Sequence, residues 1–328
     1  MLESDGYNRG PMPSDSSPPE IRSVLVVGAG TMGRGIAALC ASRGYETSIH
    51  DPVPAAVASA PAAVAALLEK AHARGKMTDA ELRAALGRLR PVASVEEAAR
   101  AADLVVEAAP ESLDVKRAIF SELDRTAPDA VLATNTSSLS IAKIAGSTRR
   151  PGRVIGIHFF NPPLAMPLVE IVVGPETTPE TIVAARAFVA SLGKESIEVR
   201  DSPGFATSRL GVALGLEAIR MVEEGVASPA DIDRAMEAGY GHAMGPLKTS
   251  DLVGLDVRLA IADALARELS EERFRAPALL REMVAEGKTG KKAGEGFYRW
   301  EGNEARPRTV AGAGSGNGSA RRRRGSSD

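Results

Sequence analysis

Residues 21–40, IRSVLVVGAGTMGRGIAALC, pass from a short β-branched run through glycines into a helical pattern. Gly28, Gly30 and Gly33 form G-x-G-x-x-G at that junction. The first glycine permits a tight turn, the second lets a pyrophosphate approach the backbone, and the third lets helix and strand pack closely. Ala29, Thr31 and Met32 complete a loop whose free N–H groups and positive helix end suit phosphates. Asp51 closes the next strand-like segment, TSIHD, near the spacing at which an acid takes a ribose 2′-hydroxyl. A carboxylate there repels a 2′-phosphate, and Pro52 rather than an arginine follows it, so NAD is expected over NADP. Flavin adenine dinucleotide uses the same kind of loop, but the rest of the chain points elsewhere.

The 328 residues are enough for roughly two domains. From Ile21 to Arg200 short apolar strands (SVLVVGA, TSIHD, ADLVVEAA, AVLATN, RVIGIHFFN, LVEIVVG, KESIEVR) alternate with helical stretches, which predicts an α/β fold with a mostly parallel, Rossmann-like sheet. One alanine-rich helical insertion is expected after the second strand. Residues 201–302 read as a second, all-helical domain, with SRLGVALGLEAIRMVEEG too apolar for a solvated surface helix. Residues 1–20 and 303–328 are low in apolar periodicity and read as disordered tails, Arg321 to Arg324 included.

Several classes are excluded. A formal net charge of −2 gives no bias toward nucleic acid or membrane. No apolar run is long enough to span a bilayer, and the N-terminus lacks the apolar core of a secretory signal. The single cysteine, Cys40, forbids an intramolecular disulfide and fits a reducing cytoplasm; in IAALCASRG it reads as a buried, inert thiol. The four histidines, at 50, 72, 158 and 242, show no metal-site spacing, so no metal is expected.

His158 stands at the end of a strand in GIHFFNPP, where open α/β sheets place ligands. Glu170 lies on the apolar run PLVEIV, where a lone carboxylate is costly to bury. Pro162, Pro163 and Pro167 between them allow the chain to fold back. A His–Glu pair is then reachable, in which Glu170 orients the imidazole and His158 takes a proton from a hydroxyl. A hydrogen-bonded structural histidine fits the spacing too.

GAGTMGRGIA, VVEAAPESLDVK, NTSSLSI, HFFNPP, LVEIV, PGFATSRL, EEGVASPADID, GHAMGPLKTSDLVGLD and GKKAGEGFYRW, in this order, resemble the 3-hydroxyacyl-CoA dehydrogenase family, the bacterial 3-hydroxybutyryl-CoA branch above all. The resemblance runs from Ile21 to Trp300. It implies NAD-dependent oxidation of an (S)-3-hydroxyacyl-CoA to the 3-oxoacyl-CoA by a homodimer. It makes His158 the general base and Glu170 its partner, and puts Ser137 at the reacting oxygen. Glu111, Lys116, Asn135 and Lys292 become cofactor contacts; without the resemblance Glu111, Lys116 and Lys292 read as solvated surface charges. His242 falls on a structural turn. One departure bears on the substrate: Ser208 stands where the family usually has an asparagine that helps hold the substrate oxygen, though serine still donates a hydrogen bond. Lys70, Arg74 and Lys76, in the insertion, are candidates for the coenzyme A phosphates. Two alternatives stay open: a hydroxyacyl group on a carrier protein or a free hydroxy acid as substrate, and a non-catalytic NAD-binding structural protein.

Overall fold

A computed structural model describes residues 20–307. Eight strands form one sheet: β1 (Ser23–Val27), β2 (Glu46–His50), β3 (Leu89–Pro91), β4 (Leu104–Glu107), β5 (Val131–Thr134), β6 (Val154–Phe159), β7 (Leu168–Val173) and β8 (Glu195–Arg200). Their spatial order is β3-β2-β1-β4-β5-β6-β7-β8. The first six run parallel, with the order that wraps a dinucleotide site around the first strand. The sheet then reverses: β7 pairs antiparallel with β6, and β8 parallel with β7.

Helices α1 (Thr31–Ser42), α2 (Pro54–His72), α3 (Asp79–Arg88), α4 (Val95–Arg100), α5 (Leu113–Thr126), α6 (Ile141–Ala145) and α7 (Pro179–Ser191) connect and cover the strands. Alternation along each strand feeds two cores. Val24, Val26, Ile155 and Ile157 pack with Ile36, Leu39 and Phe188 on one face. Leu25, Val105, Leu132 and Val172 pack with Phe120, Leu123 and Phe205 on the other. Burial on both faces explains the near-continuous apolar strands.

The alanine-rich helical insertion after the second strand consists of two helices, and a strand follows it. Gly75, at φ +67°, turns the chain after α2, and Thr78 starts α3 with a reciprocal capping box to Glu81. β3 then pairs with β2 as a three-residue edge strand.

The chain divides into two compact units between Arg209 and Leu210, later than the expected break after Arg200. Helix α8 (Thr207–Glu223) runs through that point. The second unit continues with α9 (Pro229–Tyr240), α10 (Pro246–Val253), α11 (Leu255–Leu269) and α12 (Ala278–Ala285). Its own core gathers Leu216, Ile219, Leu247, Leu255, Leu280 and Phe297. It is not wholly helical. β9 (Tyr298–Glu301) and β10 (Glu304–Pro307) form an antiparallel hairpin. Residues 303–307, assigned above to a tail, belong to that hairpin; apart from Glu20, the rest of both predicted tails, with Arg321–Arg324, lies outside the described residues.

Candidate active site

The glycine loop follows β1 and starts α1. Gly28 takes φ +110°, and its N–H donates to the His50 carbonyl at 2.8 Å. A Cβ there would press on the Ala108 carbonyl, 2.6 Å away. A Cβ at Gly33 would collide with the Gly28 carbonyl, so this glycine lets helix and turn touch. A Cβ at Gly30 would meet nothing within 4 Å, so that backbone faces open space. Gly35, a turn further on, lies under the Pro163 ring, 2.8 Å from where its Cβ would stand. No side chain caps α1, and its first turn holds no acid. Its terminal N–H groups are left for an anion. Asp51 accepts from Ala29 N at 2.8 Å and from Val53 N at 2.9 Å, which fixes its carboxylate beside the loop. A close-packed turn, an uncapped helix end and a fixed acid fit an adenine dinucleotide with a free 2′-hydroxyl.

A second layer of charge lies behind the ends of β4 and β5. Glu107, fully buried on β4, accepts from Lys116 Nζ at 2.7 Å, from Ala109 N at 2.6 Å and from Thr134 Oγ1 at 2.6 Å. Lys116, expected as a cofactor contact, is 1% exposed and serves as counter-ion to Glu107, so it is not the solvated surface charge that its residue type alone suggests. It also reaches Glu111, at 3.4 Å. Glu111 Oε1 in turn accepts from Thr136 Oγ1 at 2.6 Å and Ser137 N at 2.9 Å, with Ser137 Oγ at 3.2 Å and Ser138 N at 3.3 Å. Burial pushes the Glu111 carboxyl up, but Lys116 and these hydroxyl and amide donors outweigh it and hold it below the usual range. Glu111 is therefore the clamp of the Ser137 loop. Ser208 Oγ reaches the Ser137 carbonyl at 3.4 Å, so the two serines are neighbours. Asn135 Oδ1 accepts from Phe159 N at 2.9 Å and tethers the residue after His158.

His158 and Glu170 are direct partners in the β6–β7 register and so share one face. His158 Nδ1 lies 2.8 Å from Glu170 Oε2. Glu170 is fully buried yet well supplied with donors. Thr207 Oγ1 donates to the same Oε2 at 2.8 Å; Oε1 takes Ala206 N at 3.1 Å and Thr207 N at 2.9 Å. These amides open α8, and the left-handed residues just before them, Gly204 and Phe205, turn the chain toward the carboxylate. Burial pushes the Glu170 carboxyl up, but the hydrogen bonds from His158 and Thr207 outweigh it and keep it below the ordinary range. An ionised Glu170 requires the proton on Nδ1, which leaves Nε2 with its lone pair. Nε2 has no hydrogen-bond partner among the described residues. Phe160, 4.6 Å away between ring centres, and Phe205, 6.1 Å away, flank the ring. A buried, oriented imidazole of this kind has one ring nitrogen able to accept a proton.

A cavity of about 230 Å³ opens beside the loop, lined by Thr31, Arg34, Leu67, Asn161 and Pro162 among others. Lys70, Arg74 and Lys76 are exposed on and after α2, with no ion pair to described residues. Lys292 belongs to the second unit, where it pairs with Asp256 at 2.6 Å. His242 is exposed in the turn after α9. Cys40 is buried and its thiol is pushed up to about 12 by burial. No cluster of His, Cys, Asp and Glu able to hold a metal occurs among the described residues, and no described helix is long and apolar enough to cross a membrane. Sequence reasoning missed Glu107, Thr136 and Thr207. Only Glu107, a carboxylate on an apolar strand, left a signal of the kind that exposed Glu170.

Comparison with known proteins covers both units. Residues 23–202 match the model of the 3-hydroxyacyl-CoA dehydrogenase NAD binding domain, and residues 204–300 that of the C-terminal domain. A 3-hydroxybutyryl-CoA dehydrogenase of Mycobacterium tuberculosis is 44% identical over 283 residues, 85% of this chain and 99% of the relative. The crystal structure of (S)-3-hydroxybutyryl-CoA dehydrogenase from Ralstonia eutropha superposes with a TM-score of 0.83 at 41% identity, covering 86% of this chain and all of that one. A diketoreductase structure, described as acting on dicarbonyl compounds, matches with a TM-score of 0.75 at 32% identity, over 85% of this chain and 99% of that one. The glycine loop with its fixed acid is thus the cofactor half of a known design, and the chain belongs to the 3-hydroxyacyl-CoA dehydrogenase family of NAD-dependent oxidoreductases.

Proposed function

We propose that the protein oxidises a short (S)-3-hydroxyacyl-CoA, 3-hydroxybutyryl-CoA first among them, to the 3-oxoacyl-CoA, with His158 as general base. The observation that carries this is the 2.8 Å bond from Nδ1 to a buried carboxylate, which aims a free Nε2 away from it. Nε2 takes the hydroxyl proton while hydride leaves the carbinol carbon, so one C–H and one O–H bond break and a C=O bond forms. Glu170 stabilises the imidazolium so produced. Bound NAD supplies the hydride acceptor. Gly30 and the α1 N-terminus receive its pyrophosphate, and Asp51 its adenosine ribose. Ser137 and Ser208 donate to the substrate oxygen, Asn135 steadies the strand end, and Glu111 holds the serine loop. Lys116, held by Glu107 and Glu111, is a candidate contact to the cofactor. The unpaired Lys70, Arg74 and Lys76 suit the coenzyme A phosphates.

Two further parts of the reading concern assembly and place. The second unit mediates a homodimer: Leu210 is 71% and Tyr240 79% exposed, and Leu214 lies one turn beyond Leu210 on the same face of α8. Sedimentation at micromolar concentration tests this, and a lone monomer refutes it. A reducing cytoplasm suits the single buried cysteine. A second substrate reading, a carrier-bound or free hydroxy or dicarbonyl compound, is favoured by Ser208 and by the diketoreductase relative.

The test is NADH consumption with acetoacetyl-CoA, longer 3-oxoacyl-CoAs and free oxo acids, on wild type and His158→Gln. Loss of about 100- to 10,000-fold in kcat is expected for the variant. Near-normal kcat ends the mechanism, and a preference for free acids moves the substrate to the second reading.

A further inference from the structure

We propose that Thr207 is a positioning residue for His158, one that sets through Glu170 how tightly the imidazole holds its proton. The proposal rests on the reading of His158 as the base. Its ground is the division of labour on the Glu170 carboxylate. Oε1 is held by backbone amides alone, Ala206 N at 3.1 Å and Thr207 N at 2.9 Å, which any side chain would leave in place. Oε2 is shared by two side chains, His158 Nδ1 and Thr207 Oγ1, each at 2.8 Å. Among the described residues these are the only side chains that hydrogen-bond Glu170.

Two consequences follow from a hydroxyl on the oxygen that faces the imidazole. It locks the carboxylate rotation, so that the Nδ1–H···Oε2 bond stays aligned while Nε2 exchanges its proton. It also draws charge from Oε2, which weakens the pull of that oxygen on an imidazolium. Removing the hydroxyl concentrates charge on Oε2 and strengthens its hold on an imidazolium. From α8 the groups facing the pair are the Thr207 hydroxyl and two amides; from β6 and the turn before α8 they are the rings of Phe160 and Phe205. Among the largest influences on the Glu170 carboxyl, His158 is the charged one.

Thr207→Val keeps the β-branched shape and the backbone donors, and Thr207→Ser keeps the hydroxyl. The experiment follows the imidazole of His158 by NMR through a pH titration of the intact protein; with four histidines in the chain, His158→Gln assigns the signal. The pH profile of kcat/KM is measured alongside. In Thr207→Val the His158 pKa should rise by about 0.5 to 1, the acid limb of kcat/KM should move with it, and Thr207→Ser should restore both. Thr207→Ala serves in place of the valine variant if that one does not fold. An unchanged or lowered His158 titration without the hydroxyl overturns the proposal. A shift also produced by the serine variant assigns the effect to packing and overturns it as well. Failure of the general-base reading is separate, because it appears as normal turnover in His158→Gln whatever the titration does.

Discussion

Glu170 on the sheet and Asp251 on α10 are the same kind of residue in two different settings. Each is fully buried, and each accepts from backbone amides of a neighbouring segment. Asp251 takes Phe297 N at 2.9 Å, Tyr298 N at 3.0 Å and the Trp300 indole N–H at 2.9 Å. A Cβ at Gly296 would collide with it, which explains a glycine in GEGFY. Burial pushes the Asp251 carboxyl up, and nearby Asp233 adds to that, so it lies above its ordinary range although three donors oppose it. Glu170 lies below its own. The difference is in the partner: an indole never titrates, whereas an imidazole trades a proton near neutral pH. A buried carboxylate therefore marks a strong local tie, and the group on its second oxygen decides whether the tie is structural or chemical.

The comparison breaks most visibly in turnover. Glu170→Gln should lower kcat by about 100-fold or more, within the range general-base catalysis supplies, and the double variant with His158→Gln should lose little beyond His158→Gln alone. Multiplicative losses in a double-mutant cycle on kcat would make the two residues independent. Asp251→Asn should leave kcat per folded molecule unchanged. It should instead cost about 1–3 kcal/mol of stability, read as a lower midpoint in urea, because an amide –NH₂ then faces N–H donors. Equal loss of kcat in the Asp251 variant would erase the distinction.

Acid sharpens it with opposite signs. Glu170 is held below its ordinary 4.5, so its contribution to stability is present above that value and is lost as pH falls through the folded pKa. Asp251 is held above its ordinary 3.8, so its contribution is full below that value and is lost as pH rises through the folded pKa. Urea midpoints measured from neutral pH down to about 3.5 should fall less steeply in Glu170→Gln than in wild type, and more steeply in Asp251→Asn. Parallel slopes would refute both assignments. The smallest effect concerns Cys40, buried with no charged partner: Cys40→Ala should leave turnover unchanged, and the native thiol should resist alkylation until urea opens the fold, as timed labelling would reveal.

What could be read in advance was local, or else patterned. The turn at Gly28, the helix after it and Asp51 follow from short-range geometry, and alternation revealed every strand but one of the sheet. β3 escaped because it has three residues, ends in Pro91 and follows directly on a helix. The break between α2 and α3 was written in Gly75 and in Thr78 with Glu81, and an alanine-rich composition hid it. Glu170 was legible because its burial demanded a partner. Lys116 was not, because nothing in ESLDVK says that its ammonium turns inward to Glu107. Thr207 was the hardest, since its hydroxyl matters only through a carboxylate 37 positions away.

The β6–β7 ladder separates what evolution or an engineer can vary from what must be kept. His158 and Glu170 meet because they are opposed rungs, with Ile157 against Ile171 and Phe159 against Val169 on either side. A slip of one rung would send Glu170 to the opposite face, toward Ile157, Phe159 and Phe188, and strand it away from its donors. Residues 160–167, between the strands, carry no such register. Apart from Phe160, which flanks the His158 ring, and Pro163, which covers Gly35, a library built there would reshape the mouth beside Pro162 and Leu164 while His158 and Glu170 stay in register.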